Sequence, residues 1–179
     1  MTATQRGVLA GMAGGLVVAI GLTWWCLAGS PGLVLAIHGA NLKQRLVLAT
    51  AAAMGPSLSL AIAIGVVANR RFFSAPDIDG AGLTTESAAL RVPRAVLANT
   101  LEQAALAVPI YAALAMALPP GQLAFPILLS AVFVIGRILF ALGYSRGAAA
   151  RSLGFTLTFY PSVAGLIVAI GRLARVFPG

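Results

Sequence analysis

Five long apolar runs constrain this chain more than any other feature of its sequence. A helix that crosses a bilayer needs about 20 apolar residues, because each residue advances the helix by about 1.5 Å. Five stretches meet that length, approximately residues 8–28, 46–68, 95–118, 123–144 and 152–171. They are predominantly apolar along their whole length and lack the period-two alternation of a membrane β-barrel. The sequence therefore predicts an all-α integral membrane protein.

Composition supports the same class and excludes several functions. Of the 179 residues, 60% are hydrophobic and only 9% are charged, which would leave a soluble domain with an insoluble surface. The net charge of +8 suits anionic lipid headgroups. Because basic and aromatic residues are not interleaved on any surface, we expect no nucleic-acid partner. A single cysteine, Cys26, and a single histidine, His38, predict neither an internal disulfide nor a metal site.

The first apolar run has two interpretations. Arg6 precedes it and the small residues 28–30 follow it, which is typical of a cleaved secretion signal. The run is, however, longer than the usual signal core of about 7–15 residues. Glycines also recur in it at four-residue spacing, at Gly7, Gly11 and Gly15. This spacing lets another helix approach closely, so we favour a retained packing helix.

The basic residues between the runs predict the orientation in the membrane. With five crossings, seven of them share one side: Arg6, Arg70, Arg71, Arg91, Arg94, Arg146 and Arg151. Four lie on the other side: Lys43, Arg45, Arg172 and Arg175. The positive-inside rule then places the N-terminus in the cytoplasm. Because arginine outnumbers lysine and alanine and glycine are abundant, we expect a bacterial source and the inner membrane.

Two of the connections between runs carry structural signals. Residues 69–93 form the one long polar connection, which is either a solvated linker or a loop that covers a site. The sequence Pro119-Pro120-Gly121 predicts a tight turn, so the third and fourth runs should lie antiparallel as neighbours.

Two charges lie inside the apolar runs and need an explanation. Glu102 is the only acidic residue within a run, and Arg137 is the only basic residue well within one. A charge near the middle of a spanning helix costs roughly 2.5–3.5 kcal/mol, so each residue is by default part of a functional site. The alternative is an interhelical ion pair that fixes the register of the bundle and binds nothing.

Polar side chains also share one helix face in each of the last three runs. The three faces carry Arg91, Asn99 and Glu102, then Arg137, Phe140 and Tyr144, then Arg151, Ser152 and Phe155. Because all three faces lie toward the same membrane side, we expect them to converge on one pocket. Tyr144 could instead be an interfacial aromatic residue, and Arg151 could be only a positive-inside anchor.

Three sequence blocks on these faces resemble a known family. They are RAVLANTLEQ at 94–103, GRILFALGY at 136–144 and RSLGF at 151–155. In this order and at these helix ends they resemble the membrane-associated proteins in eicosanoid and glutathione metabolism, the MAPEG family. The resemblance implies a four-helix bundle in each subunit, a homotrimer, and glutathione held between subunits at the cytoplasmic side. We therefore expect an additional N-terminal helix in residues 1–45 and the family domain in residues 46–179.

The resemblance also implies roles for individual residues. Glutathione carries two carboxylates, an ammonium group and a thiol. We expect Glu102 to take the ammonium group or a backbone amide, Asn99 a backbone amide, and Arg94 and Arg137 the carboxylates. Arg151, with Ser152 or Tyr144, would be catalytic, because it would lower the thiol pKa so that thiolate is present near neutral pH.

These roles predict a membrane-bound glutathione transferase or peroxidase of the microsomal type. The thiolate would attack a lipophilic electrophile or hydroperoxide dissolved in the bilayer. Two other functions remain open. One is a non-catalytic lipid-binding or scaffold protein of the same fold. The other is a small transporter subunit with Glu102 and Arg137 in its path, although the clustering of polar residues near one membrane face disfavours transport.

Overall fold

The computed structural model describes residues 1–28, 41–80 and 86–175. The five long helices are α1 (Ala3–Leu27), α2 (Leu42–Phe72), α3 (Ala88–Ala117), α4 (Ala124–Tyr144) and α5 (Ala148–Leu173). Each is long and apolar enough to cross a membrane. The predicted all-α class is confirmed, and the chain is an integral, multi-pass membrane protein. Gly29, Ser30 and His38, which entered the predictions above, lie outside the described residues.

The helices continue beyond the apolar runs that predicted them. At the start of α2, Asn41 Oδ1 accepts from the Gln44 N–H at 3.0 Å while Gln44 Oε1 accepts from the Asn41 N–H at 2.9 Å. This capping box begins the helix ahead of the apolar run. The connection predicted over 69–93 was too long at both ends, because α2 ends at Phe72 and α3 begins at Ala88. Apolar content marks only the part of a helix that lies in hydrocarbon.

Helices α1 and α5 pack closely through the glycines of α1. A methyl group added to Gly7 would lie 2.6 Å from Ala149 Cβ, and one added to Gly11 would overlap Ser152. The hydroxyl of Thr156 donates to the Gly11 carbonyl across this contact at 2.9 Å. The close helix approach predicted from the glycine spacing is therefore confirmed, and its partner is α5.

Helices α4 and α5 also approach closely at glycines. A methyl group added to Gly154 would lie 2.6 Å from Phe140 Cα, and one added to Gly143 would lie 2.7 Å from the carbonyl carbon of Ala150. Between the helices, Gly147 has φ +99°, a conformation that side-chain-bearing residues rarely adopt. This tight connection holds the end of α4 against the start of α5.

The core lies where α3, α4 and α5 meet. Tyr111, Phe125 and Phe133 are fully buried there, and the Tyr111 hydroxyl lies 3.1 Å from Ser162 Oγ. A 3₁₀ turn at Pro120–Gln122 joins α3 to α4, and the two helices pack together, which confirms the predicted neighbours.

The two ends of the bundle differ in charge, as the basic residues predicted. We call the end where α1, α3 and α5 begin and α2 and α4 end the basic end. At the opposite end, Arg45 Nη1 donates to the Ala115, Met116 and Leu118 carbonyls at 2.9 Å each. These carbonyls at the end of α3 lack helical partners, so Arg45 caps the helix.

Candidate functional site

A cavity of about 420 Å³ opens at the basic end between α1, α3, α4 and α5. We call it the site cavity. Six residues from the three predicted helix faces line it together: Asn99, Phe140, Tyr144, Arg151, Ser152 and Phe155. The predicted convergence of three helix faces is thus confirmed for these side chains. Val8 and Met12 of α1 close one side of the cavity, which the sequence did not predict.

Arg151 and Tyr144 face each other across the short connection between α4 and α5. The guanidinium carbon of Arg151 lies 4.2 Å from the centroid of the Tyr144 ring. This geometry is favourable because the ring face carries partial negative charge. Among the residues that the structure describes, Arg151 forms no ion pair. The cavity therefore contains a positive group that can meet an anion.

Ser152 is held locally. Its hydroxyl donates to the Ala149 carbonyl at 2.7 Å, and the side chain is buried. The oxygen keeps lone pairs that can accept a hydrogen bond. It can donate to a ligand only after the hydroxyl rotates away from Ala149.

Arg137, Asn99 and Glu102 form a chain of hydrogen bonds. Arg137 Nη1 donates to Asn99 Oδ1 at 3.0 Å, and Asn99 Nδ2 donates to Glu102 Oε2 at 3.2 Å. The side chain of Arg137 is only 5% exposed, and its guanidinium carbon lies 4.1 Å from the Phe140 ring centroid. In the described part of the chain the direct Arg137–Glu102 ion pair, one of the two predicted alternatives, is not found. Asn99 stands between the charges.

The remaining predicted residues lie outside the cavity wall. Glu102 is exposed on the outer face of α3. Arg94 Nη1 pairs with Glu86 Oε1 at 3.0 Å, and it is not among the residues that line the site cavity. The sequence missed this pair because the predicted third run began at residue 95, after both partners. Arg91 is exposed.

Aromatic rings form the apolar wall of the site cavity. Phe140 meets Tyr144 edge to face with ring centroids 5.3 Å apart, and its centroid lies 6.4 Å from that of Phe155. Tyr160 lines the same cavity farther along α5. The cavity thus combines polar groups near the basic end with an apolar wall. This combination suits a ligand that has both a charged and a lipophilic part.

Acidic, histidine and cysteine side chains do not gather into a metal-binding group. Within 1–28, 41–80 and 86–175 no three such residues come together. The groups in the site cavity that can act chemically include the guanidinium of Arg151 and the hydroxyls of Tyr144 and Ser152, and the hydroxyl residues Thr156 and Tyr160 also line it.

The fold and the site cavity define a multi-pass helical membrane protein with a small-molecule-sized cavity at one membrane face. The chain belongs to the MAPEG family, whose family model matches residues 46–171. This match covers most of α2 and all of α3 and α4, ends within α5, and leaves α1 outside it. No curated protein and no solved structure matches the chain. Family membership supports a membrane glutathione-related transferase or a related function in general.

Proposed function

We propose that this protein is a membrane-bound, glutathione-dependent transferase or peroxidase that acts on lipophilic electrophiles. The observation that carries the proposal is the position of the Arg151 guanidinium. Arg151 lines the site cavity, its guanidinium lies beside the Tyr144 ring, and it has no ion-pair partner among the described residues. A cation in such a position lowers the pKa of a bound thiol from its usual value of about 8.5.

The polar groups around the site cavity match the groups of glutathione. The Asn99 side chain can meet a backbone amide, and the exposed carboxylate of Glu102 can accept from the ammonium group. Arg137 does not line the site cavity, so its part in glutathione binding would be to hold the Asn99 side chain through the hydrogen bond from its Nη1 atom. Arg94 contributes only by exchanging Glu86 for a ligand carboxylate, since those two side chains are paired.

The proposed chemistry needs only the thiolate and a bilayer-soluble electrophile. The glutathione sulfur forms a bond to the electrophilic carbon, and the electron pair of the broken bond leaves with the displaced group. With a hydroperoxide, the thiolate sulfur bonds to the terminal oxygen as the O–O bond breaks, which gives a sulfenic acid and an alkoxide that takes up a proton and leaves as the alcohol. The thiol of a second glutathione then attacks the sulfenic sulfur, water leaves, and the disulfide forms. In both reactions Arg151 stabilises the thiolate, and Tyr144 or Ser152 can donate a hydrogen bond to it.

The proposed assembly is a homotrimer with glutathione between subunits at the cytoplasmic side. Glu102, Ala98 and Ala105 lie on an exposed face of α3. A carboxylate on a lipid-facing surface is unfavourable, so a neighbouring subunit against this face would supply polar partners. By the positive-inside rule the basic end, and with it the N-terminus, lies in the cytoplasm, and we propose the bacterial inner membrane as the location.

A thiolate titration tests the proposal directly. Glutathione is added to the purified protein in detergent at neutral pH, and ultraviolet absorbance in the thiolate band is recorded. We expect a stoichiometric signal that disappears in Arg151→Ala. Arg146→Ala is the matched control, because Arg146 is exposed near the same end and does not line the site cavity. If the unchanged protein gives no signal at saturating glutathione, the thiol-activating role is wrong.

The second candidate is a lipid-binding or scaffold protein of the same fold that catalyses nothing. The geometry of Ser152 favours it, since this hydroxyl already donates within its own helix. Absence of a thiolate signal combined with an intact bundle would support this candidate. A small transporter subunit is the less favoured third proposal, because the two charged residues within the apolar runs, Glu102 and Arg137, both lie toward the same membrane face.

A further inference from the structure

A second cavity, of about 560 Å³, lies between α2, α3 and α4 at the basic end. We call it the α2–α4 cavity. Its walls are mainly apolar, with Ile62 and Val66 from α2, Val92 and Val96 from α3, and Val134 and Ile138 from α4. The volume falls within the roughly 300–1,000 Å³ typical of small-molecule sites. Because its walls belong to membrane-spanning helices, an occupant with an acyl chain can enter from the bilayer.

The charged residues that line the α2–α4 cavity are all basic. Arg70 lies at its mouth, where α2 ends, and Arg137 lies in its wall. Arg70 is exposed and donates from Nη1 to the Ala89 carbonyl at 3.0 Å. No acidic residue lines the cavity, and Arg70 forms no ion pair with the described carboxylates. An anion at the mouth would therefore meet an uncompensated positive charge.

Arg137 supplies the second, independent observation. Arg137 is only 5% exposed, yet its Nε and Nη2 atoms have no hydrogen-bond partner among the described residues. Buried donors of a charged group are costly when they remain unpaired. Arg137 lines the α2–α4 cavity and is not among the lining residues of the site cavity. Neither atom is exposed in the cavity wall, so an acceptor oxygen of an occupant would pair with them after the Arg137 guanidinium shifts toward the α2–α4 cavity.

We propose that the α2–α4 cavity binds one anionic acyl lipid from the surrounding bilayer. The anionic headgroup pairs with Arg70 at the mouth, an oxygen of the lipid accepts from Arg137, and the acyl chain lies along the valine and isoleucine side chains. Phosphate and carboxylate headgroups share this chemistry. The inference is independent of glutathione binding, since it concerns a different cavity and needs no thiol.

Native mass spectrometry of the full-length protein in detergent tests the proposal without glutathione. Dioleoylphosphatidylglycerol, dioleoylphosphatidylcholine and oleate are added separately, and the retained lipid is quantified. The two phospholipids carry the same acyl chains and differ in headgroup charge. We expect one phosphatidylglycerol molecule per subunit and much weaker retention of phosphatidylcholine. Equal retention of the two phospholipids would overturn the proposal.

Two variants locate the bound lipid, and each has a matched control. Ala63→Phe fills the cavity, whereas Ala61→Phe places the same ring on an exposed α2 residue outside it. Arg70→Gln removes the charge at the mouth, whereas Arg146→Gln removes an exposed charge at the same end. Arg70→Gln should weaken retention about tenfold, the equivalent of one charge-assisted hydrogen bond.

The results distinguish a bound phospholipid from a bound fatty acid, and both of these from the absence of a lipid in the cavity. Loss of the phosphatidylglycerol adduct in Ala63→Phe but not in Ala61→Phe supports a membrane phospholipid in the cavity. If oleate alone behaves in this way, the occupant is a free fatty acid. Retention that is unchanged in both Ala63→Phe and Arg70→Gln overturns the proposal. Because none of these measurements involves a thiol, they are unaffected if the glutathione-dependent function is wrong.

Discussion

Asn99 joins two opposite charges that do not touch each other. Its carbonyl oxygen accepts from Arg137 and its amide nitrogen donates to Glu102. The orientation of the amide follows from chemistry, because arginine only donates and an ionised carboxylate only accepts. Neither aspartate nor leucine at this position could make both bonds. Asn99 therefore fixes the buried guanidinium on one side and lines the site cavity on the other.

Asn99→Leu should destabilise the protein. The change removes both hydrogen bonds and leaves the guanidinium of Arg137 with a further unpaired donor, which costs roughly 1–3 kcal/mol. Thermal unfolding in detergent measures the effect. The control is Asn69→Leu, since Asn69 is exposed near the end of α2. Equal melting temperatures for the two variants would contradict a structural role for Asn99.

Asp77 joins the residues that follow α2 to Ser87, which directly precedes α3. Its carboxylate accepts from the Ser74 hydroxyl at 2.5 Å, from the Ser87 hydroxyl at 2.6 Å and from the Ser87 N–H at 2.8 Å. These hydrogen bonds, with that from Ser74 the largest cause, lower the pKa of Asp77 below its ordinary value. The ionised Asp77 carboxylate therefore contributes its full stabilisation at pH values above the ordinary pKa of aspartate. This contribution is lost as the pH falls through the lowered pKa of Asp77.

Asp77→Asn should loosen the start of α3 at neutral pH. The amide cannot accept all the hydrogen bonds that the carboxylate accepts, so the Ser87 N–H should exchange with solvent several-fold faster. Hydrogen exchange mass spectrometry of this segment measures the change. Asp79→Asn, an exposed residue two positions away, should leave exchange at Ser87 unchanged. Acidification should loosen the unchanged protein but have little further effect on Asp77→Asn.

Small residues decide how close the helices lie. The glycines of α1 admit α5, and Gly136, Gly143 and Gly154 bring α4 against α5. In a bilayer, lipid is as apolar as leucine, so helices associate through close packing and hydrogen bonds. The contact between α4 and α5 matters for the site, since it sets Tyr144 beside Arg151.

Gly154→Ala should therefore separate α4 from α5. The added methyl group would overlap the Phe140 backbone, which cannot move as a flexible side chain can. We expect destabilisation of roughly 1–3 kcal/mol, together with weaker thiol activation. Gly171→Ala on the same helix has open space around the new methyl group and is the matched control. A Gly154→Ala protein that unfolds at the same temperature as this control would show that the contact is looser than described.

The arrangement of the whole molecule leaves the face of α3 that carries Glu102 exposed. The face of α3 that carries Glu102 and Ala105 is exposed, whereas the opposite side of α3 packs on α2, α4 and α5. The proposed homotrimer would bury that face between subunits. α1 lies apart from this face, since it packs on α5.

Cysteine cross-linking tests the proposed trimer contact. In a Cys26→Ala background, Ala105→Cys near Glu102 should give subunit cross-links with a short thiol reagent in membranes. Ile20→Cys, on the outward face of α1, is the control and should give none. Cross-linking that is equal at both positions, or absent at both, would contradict a subunit contact at the Glu102 face.

Much of the fold could be predicted from the sequence, but the pairing within the site could not. The apolar runs predicted five helices, and the spacing of polar residues predicted that Asn99, Tyr144 and Arg151 converge. Helix ends were missed, because caps such as Asn41 lie outside the apolar runs. The Arg94–Glu86 pair was missed for the same reason. The contact of Asn99 with both Arg137 and Glu102 was also missed, since it depends on how α3 and α4 are rotated.

The sequence by itself determined that this protein lies in a lipid bilayer and that its membrane-spanning segments are helices. Long apolar runs have to span a bilayer, and only helices satisfy their own backbone groups there. Tertiary structure alone decided which helices touch, which side chain stands between two charges, and where cavities open. These features depend on how the side chains of neighbouring helices fit together. Lipid solvates every apolar helix face about equally, so the hydropathy pattern does not determine which faces pack against each other.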